Sequence, residues 1–185
     1  MLQVEPENGR AAAGAAAADS LESVRDIFIR QWGAMGSQWG VNRSMAMIHA
    51  LLLVSPEPLT TDAIMEELEI SRGNANTNLR ELVDWGLVYP VLVKGDRRDY
   101  FVAEKDVWRI FCIVARERKR REMEPAQKVL EECVRRSGSL EGEEAQAMHA
   151  QLARLSEFVG TANELMDKLA RPERDRILPN LMRVL

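Results

Sequence analysis

Cysteine and histidine are scarce in this chain, and their scarcity removes whole classes of chemistry. There are two of each, Cys112 and Cys133, His49 and His149. No CxxC pair occurs and the four residues lack the spacing of a metal-ligand set, so no metal site is expected. Free cysteines on helices most often serve as buried apolar groups. A redox sensor would need an exposed thiolate of low pKa, and only Arg116 and Arg136, one helical turn away, point that way. The histidines stand alone in helical stretches. GxSxG, HExxH, Walker A and GxGxxG motifs are all missing, so neither an enzyme nor a bound cofactor is expected. No apolar run approaches the ~18 residues of a membrane span. The Ala-rich stretch 11–18 follows Glu5 and Glu7, which makes a poor signal peptide. A soluble, cytoplasmic protein with no membrane partner is the expectation.

Strong positive charge is missing too. The net charge is −4, which argues against a general nucleic-acid coat protein. It leaves room for a local basic surface, and residues 94–98 (KGDRR) and 116–121 (RERKRR) are the local concentrations. Apolar residues make up 46% of the 185, enough to build a core.

Three regions follow from composition and periodicity. Residues 1–19 read as a flexible Ala-rich tail. Residues 20–104 read as a DNA-binding winged helix-turn-helix domain, and 105–185 as a helical dimerisation region. The fold class is thus mainly α with a small β-wing and a C-terminal helical arm. Ser20 is placed to cap a helix over about 21–35, and Gly33, Gly36 and Gly40 should loosen the chain from its end onward. A second helix over 42–54 ends at Ser55-Pro56-Glu57-Pro58. Thr60 caps a short third helix, with Leu59 and Ile64 at the hydrophobic-staple positions. Ser71 caps a fourth, in which Ala75, Leu79, Leu82 and Val83 recur at helical spacing, and Gly86 is placed to stop it. Val88–Val93 and Arg98–Val102 read as strands around a charged turn, with Pro90 confining the first to an edge.

The fourth helix carries the functional signal. Ser71, Arg72, Gly73, Asn74, Asn76, Thr77, Asn78 and Arg80 bring hydrogen-bonding side chains to its first turns, where good helix formers would suit a merely solvated face. Asparagine can bond adenine in bidentate fashion and arginine guanine. Gly73 permits close backbone approach, and a helix N-terminus favours phosphate. Lys94, Arg97 and Arg98 at the turn that follows could reach phosphates or the minor groove. Double-stranded DNA is therefore the expected partner.

The second signal lies near the C-terminus. A helix is expected over about 105–136, kinked or divided at Pro125, with another over about 143–170. Met148, Leu152, Leu155, Val159, Ala162, Met166 and Leu169 step along the latter by alternating fours and threes, the 3.5-residue repeat of a coiled coil. The expected use is a homodimer seam; packing on the chain's own 105–136 helix is the alternative. Ile177, Leu178, Leu181 and Leu185 form a short amphipathic end.

SPEPLTTDAIMEELEISRGNANTNLRELVDWGLV followed by KGDRRDYF resembles the GbsR branch of the MarR-type winged-helix regulators. Ser71, Gly73, Asn74, Asn78, Leu79, Arg80, Leu82, Trp85, Gly86, Leu87, Lys94, Gly95, Arg97 and Tyr100 carry the likeness, which covers about 55–102. Asn42-Arg43 departs from the Gly-Arg usual in that family. The resemblance implies a homodimeric transcription factor, a repressor in many relatives, on a roughly two-fold operator. It also implies a small-molecule effector, since some relatives respond to quaternary ammonium compounds. An aromatic cage for such a ligand would draw on Trp32, Trp39, Trp108 and Phe111. A winged-helix protein-interaction module without specific DNA binding is the competing reading, motivated by the acidic net charge.

Overall fold

The computed structural model describes residues 20–170. The tail 1–19 and the end carrying Ile177, Leu178, Leu181 and Leu185 lie outside the described residues. Seven α-helices and three short strands follow in the order α1 (Leu21–Gln38), α2 (Arg43–Val54), β1 (Leu59–Thr60), α3 (Thr61–Leu68), α4 (Arg72–Trp85), β2 (Val88–Val91), β3 (Tyr100–Ala103), α5 (Val107–Arg118), α6 (Glu124–Ser137) and α7 (Glu143–Leu169). A π-helical turn, Lys119–Met123, joins α5 to α6.

Local chemistry sets the helix limits. Ser20 Oγ, Thr60 Oγ1 and Ser71 Oγ each accept a backbone N–H from the first turn of their helices. Each such cap contributes about 1 kcal/mol. Gly86 takes φ 80°, a left-handed conformation in which a side chain is strained, and so ends α4. The α3–α4 turn is closed by Glu69, a non-glycine residue at φ 53°.

Two expectations need correction. Gly33 and Gly36 do not loosen the chain, because α1 runs through both to Gln38. They are the surface on which α2 lies: a Cβ on Gly36 would sit 2.6 Å from the Ala46 Cβ, and one on Gly33 2.5 Å from the Met47 Cγ. A glycine costs helix propensity, and here close helix contact offsets that cost. Leu59 and Thr60 are also more than a helix lead-in, since they form a strand. The sheet has the order β1-β3-β2, all antiparallel, with Leu59 opposite Phe101 and Pro90 also opposite Phe101 on the other side. Pro90 therefore sits on an edge strand, where its missing N–H breaks no ladder.

The core collects one face from each element: Ile29, Met45, Ile48, Leu51, Leu52, Ile64, Leu79, Leu82, Leu87 and Val88 are all buried. α2 is its centre, apolar nearly all round, with its middle residues Ile48, Ala50 and Leu51 fully buried. The helix-turn-helix pair α3–α4 packs on it, and the wing closes one end.

The arm has a different character. α7 folds back antiparallel on α6, and polar contacts join it to α6 and to the π-turn. Ser137 Oγ and His149 Nδ1 are 2.9 Å apart, the Asn163 amide donates to Gln127 Oε1, and Lys119 Nζ donates to both Asp167 oxygens at 2.8 Å. The heptad residues divide into two sets. Leu152, Val159, Ala162 and Met166 are half-buried, while Met148 and Leu155 are exposed along with Phe158 and Leu165. Leu169 closes the helix. No described helix is long and apolar enough to cross a membrane.

Candidate nucleic-acid interface

The candidate surface begins with α4. Its buried side is Ala75, Asn78, Leu79 and Leu82. That leaves Arg72, Gly73, Thr77 and Arg80 exposed and Asn76 half-buried on the other side, in reach of an approaching groove. Ser71 is occupied as the cap, its Oγ accepting the Asn74 N–H at 3.3 Å. Arg72 forms an ion pair with Asp62 of α3, a contact between two largely exposed side chains that DNA could replace at little cost. Gly73 touches nothing: a Cβ built there has no neighbour within 4 Å. Nothing inside the chain therefore requires a glycine at this exposed helical position.

The other two asparagines are turned inward. Asn78 is 4% exposed, and its amide donates to the Asn74 carbonyl at 2.8 Å and to Asn74 Oδ1 at 2.5 Å. Asn74 in turn donates to Ser44 Oγ, 3.1 Å away at the start of α2. Asn78, expected among the DNA-binding residues, does not reach that surface, and Asn74, expected to face outward, is half-buried and bonded to Ser44. The side chains at 78 and 75 share the core-facing stripe with 79 and 82, and a short polar network satisfies the asparagine there. Sequence spacing missed this because asparagine gives no apolar signal. The network ties α4 to α2 and holds the angle at which α4 projects.

The wing turn spans Val93 to Asp96, closed by the Asp96 N–H on the Val93 carbonyl at 3.1 Å, with Gly95 at φ 91°. Its cations are not equivalent. Arg98 is held by Asp96 through its Nε at 2.9 Å and its Nη2 at 2.5 Å, and it also meets the Tyr100 hydroxyl at 3.0 Å. The Arg98 bonds hold the Asp96 carboxyl well below the usual carboxylate range and raise the guanidinium pKa. Lys94 and Arg97 are exposed and enter no ion pair among the described residues. The wing therefore offers two free positive charges and one neutralised one.

The basic run 116–121, the second local concentration of positive charge in the sequence, is largely engaged within the chain. Arg118 meets the Trp39 carbonyl and Glu122, Lys119 meets Asp167 and Glu124, Arg120 meets Glu117, and Arg121 meets Glu81.

Beside α4 lies an apolar cavity of about 80 Å³ whose walls include Trp32, Trp39, His49, Trp85 and Val114. Trp32 and Trp39 are two of the four aromatics expected near an effector. Trp108 and Phe111 stack on one another, with centroids 5.2 Å apart, and do not line it. One face of Trp85 is covered by the Arg121 guanidinium, 4.8 Å from the ring centroid. No cluster of metal-ligating side chains occurs among the described residues.

Residues 39–99, which hold α2, the helix-turn-helix, β2 and the wing turn, match the MarR family model. Over this segment the chain is similar to MarR-type winged-helix regulators of the GbsR type. The HTH-type transcriptional repressor GbsR of Bacillus subtilis (strain 168) is 29% identical over 92 residues, covering 50% of this chain and 51% of the relative. The HTH-type transcriptional regulator MmpR5 of Mycobacterium tuberculosis (strain ATCC 25618 / H37Rv) is 31% identical over 86 residues, covering 45% and 52%. The chain thus spans about half the length of the curated relatives it matches. A crystal structure described as that of a transcriptional regulator superposes with a TM-score of 0.52 at 26% identity, covering 78% of this chain and 99% of the other. That breadth carries the likeness past the MarR-family segment into the helical arm.

Proposed function

We propose that this MarR-like chain is a sequence-specific DNA-binding transcriptional repressor that acts as a homodimer on a roughly palindromic operator. The carrying observation is the juxtaposition on α4 and the wing. Arg72, Gly73, Asn76, Thr77 and Arg80 lie exposed or half-exposed on a capped helix, followed by the unpaired cations Lys94 and Arg97. Base-edge readers and phosphate contacts are what a helix in the major groove and a wing beside it require. Arg98 is the weaker member of the set, since Asp96 offsets its charge.

The dimer is supported by what the arm leaves uncovered. Leu152, Val159, Ala162 and Met166 are half-buried within the chain, whereas Met148, Leu155, Phe158 and Leu165 remain exposed, as do Leu21, Val24 and Ile27 on α1. Apolar residues in such number usually belong to an interface. The cavity at Trp32 and Trp39 is the favoured seat for a small effector. Because Arg121 already stacks on Trp85, that ring is a poor partner for a quaternary ammonium ion.

Gel shift and footprinting on the chain's own upstream DNA test this reading. The expected result is a salt-sensitive, sequence-preferring footprint over two half-sites. Binding that ignores sequence, or no binding to any genomic duplex, would leave the protein-interaction reading suggested by the net charge of −4.

A further inference from the structure

Pro125 opens a chain of consequences that ends at the reading helix. A proline inside a helix lacks the N–H for the carbonyl four residues back and crowds that carbonyl. For Pro125 that residue is Arg121. The chain answers with the π-helical turn Lys119–Met123, in which the Glu124 N–H bonds the Lys119 carbonyl, and α6 begins with Pro125 in its first turn. Such a turn inserts one residue into the helix and so changes the direction in which its side chains leave the axis, and π-turns are frequent at functional sites.

The residue re-aimed here is Arg121. Its Nη1 lies 2.9 Å from Glu81 and its Nε 3.7 Å from Glu117, while its guanidinium lies over Trp85. Glu81 and Trp85 stand on the last turns of α4. Glu117 is 9% exposed and is also paired with Arg120 at 2.5 Å, so the carboxylate at the centre of the contact is fixed. A cleft of about 270 Å³ lined by Trp39, Glu81, Trp85, Glu117 and Arg121 lies beside it. α4 and α5 otherwise meet sparingly. We infer that Arg121 is a positioning residue for DNA reading: from the Pro125 π-turn it fixes the angle of α4 relative to the arm, without touching DNA. The inference rests on the DNA-reading proposal for its consequence, not for its geometry. In a dimer, the angle at the arm sets the distance between the two reading helices, and half-site spacing must match that distance.

Arg121→Gln and Pro125→Ala test it together. The first removes the charge and the cation–π contact; the second restores the missing N–H and favours a regular helix with Arg121 turned away. Hydrogen exchange on the full chain is read first, without DNA. Both variants should exchange faster at the C-terminal half of α4 and at 119–123, with α7 unchanged. Unchanged exchange in α4 in both variants overturns the inference, whatever the DNA result. Binding to the footprinted operator is read next, alongside operators with one base pair added or removed between half-sites. The wild type should prefer one spacing; both variants should lose at least about fivefold in affinity for it and discriminate less. The salt slope should stay that of the wild type. A slope lower by about one in Arg121→Gln would mark a phosphate contact and overturn the positioning role. Absence of binding by the wild type, with exchange altered as described, would defeat the DNA reading and leave the Arg121 contact between α4 and the arm standing.

Discussion

Lys105 donates its ammonium to the main-chain carbonyl of Leu52 at 2.7 Å, across the junction between the wing and the arm. The same nitrogen reaches Leu53 O at 2.7 Å and Ser55 O at 2.9 Å. These are the carbonyls that the end of α2 leaves without helical partners. Ser55 satisfies the next one back, with its N–H and its Oγ both on Leu51 O. A cation at a helix C-terminus also interacts favourably with the helix dipole. Lys105→Met keeps the apolar stem and removes all three bonds, so it should lower stability by about 1–2 kcal/mol. Urea denaturation followed by far-UV circular dichroism checks this. A midpoint equal to wild type would mean that water replaces the ammonium without loss.

His49 makes stability depend on pH. It is 5% exposed, and its pKa is held down from 6.5 to about 4, first by burial and then by the nearby charge of Lys105. The unfolded chain therefore binds a proton at a pH where the folded chain does not. Stability from this group is complete above about pH 6.5 and is lost as pH falls toward about 4, to a total of roughly 3 kcal/mol. Denaturation midpoints between pH 7.5 and 4.5 should fall along this curve for the wild type. They should fall less steeply for His49→Gln, which has no proton to gain.

Much of this fold was legible because its signals are local. Ser20, Thr60, Ser71 and Gly86 announce helix limits by side chains that bond, or a backbone that bends, within a few residues. Pro90 announces an edge strand and Pro125 a break for the same reason. What escaped depends on residues distant in sequence. Gly33 and Gly36 look like breakers until Ala46 and Met47 are set against them. Asn78 looks like a surface reader until Asn74 and Ser44 satisfy the network beneath it. The basic run at 116–121 could be read as a salt-bridged face or a phosphate contact, and the partners Trp39, Glu81 and Asp167 that engage it are distant in sequence. The heptads were legible as a pattern, but which of their residues the chain's own α6 covers was not, because Ser137, His149, Gln127 and Asn163 add polar contacts that a periodicity of apolar residues does not register.

Gly73 separates stability from reading. Alanine is favoured over glycine in a helix by about 1 kcal/mol, and at 73 a methyl group meets nothing. Gly73→Ala should therefore raise the unfolding midpoint. If the helix backbone approaches DNA closely at this turn, the same methyl should weaken operator binding about tenfold or more, equivalent to at least about 1.4 kcal/mol. Thermal melting and gel shift on one preparation decide it. A variant that is more stable and binds equally well would place Gly73 away from the groove.

Arg97 and Arg98 are neighbours with opposite expectations. Arg97 is exposed and enters no ion pair among the described residues, whereas Arg98 is bonded to Asp96 through two nitrogens. A phosphate contact releases counterions, so losing one lowers the slope of log K against log salt by about 0.9. Arg97→Ala should show that drop and weaken binding to all sequences alike. Arg98→Ala should change the slope less, because it frees the Asp96 carboxylate while removing a charge that was already compensated. Its larger effect should be on the shape of the turn, which loses the contacts joining Arg98, Asp96 and Tyr100. Titrations at several salt concentrations, with Asp96→Asn in parallel, measure the difference. Equal slopes for the Arg97 and Arg98 variants would mean that Arg98 leaves Asp96 when DNA is bound.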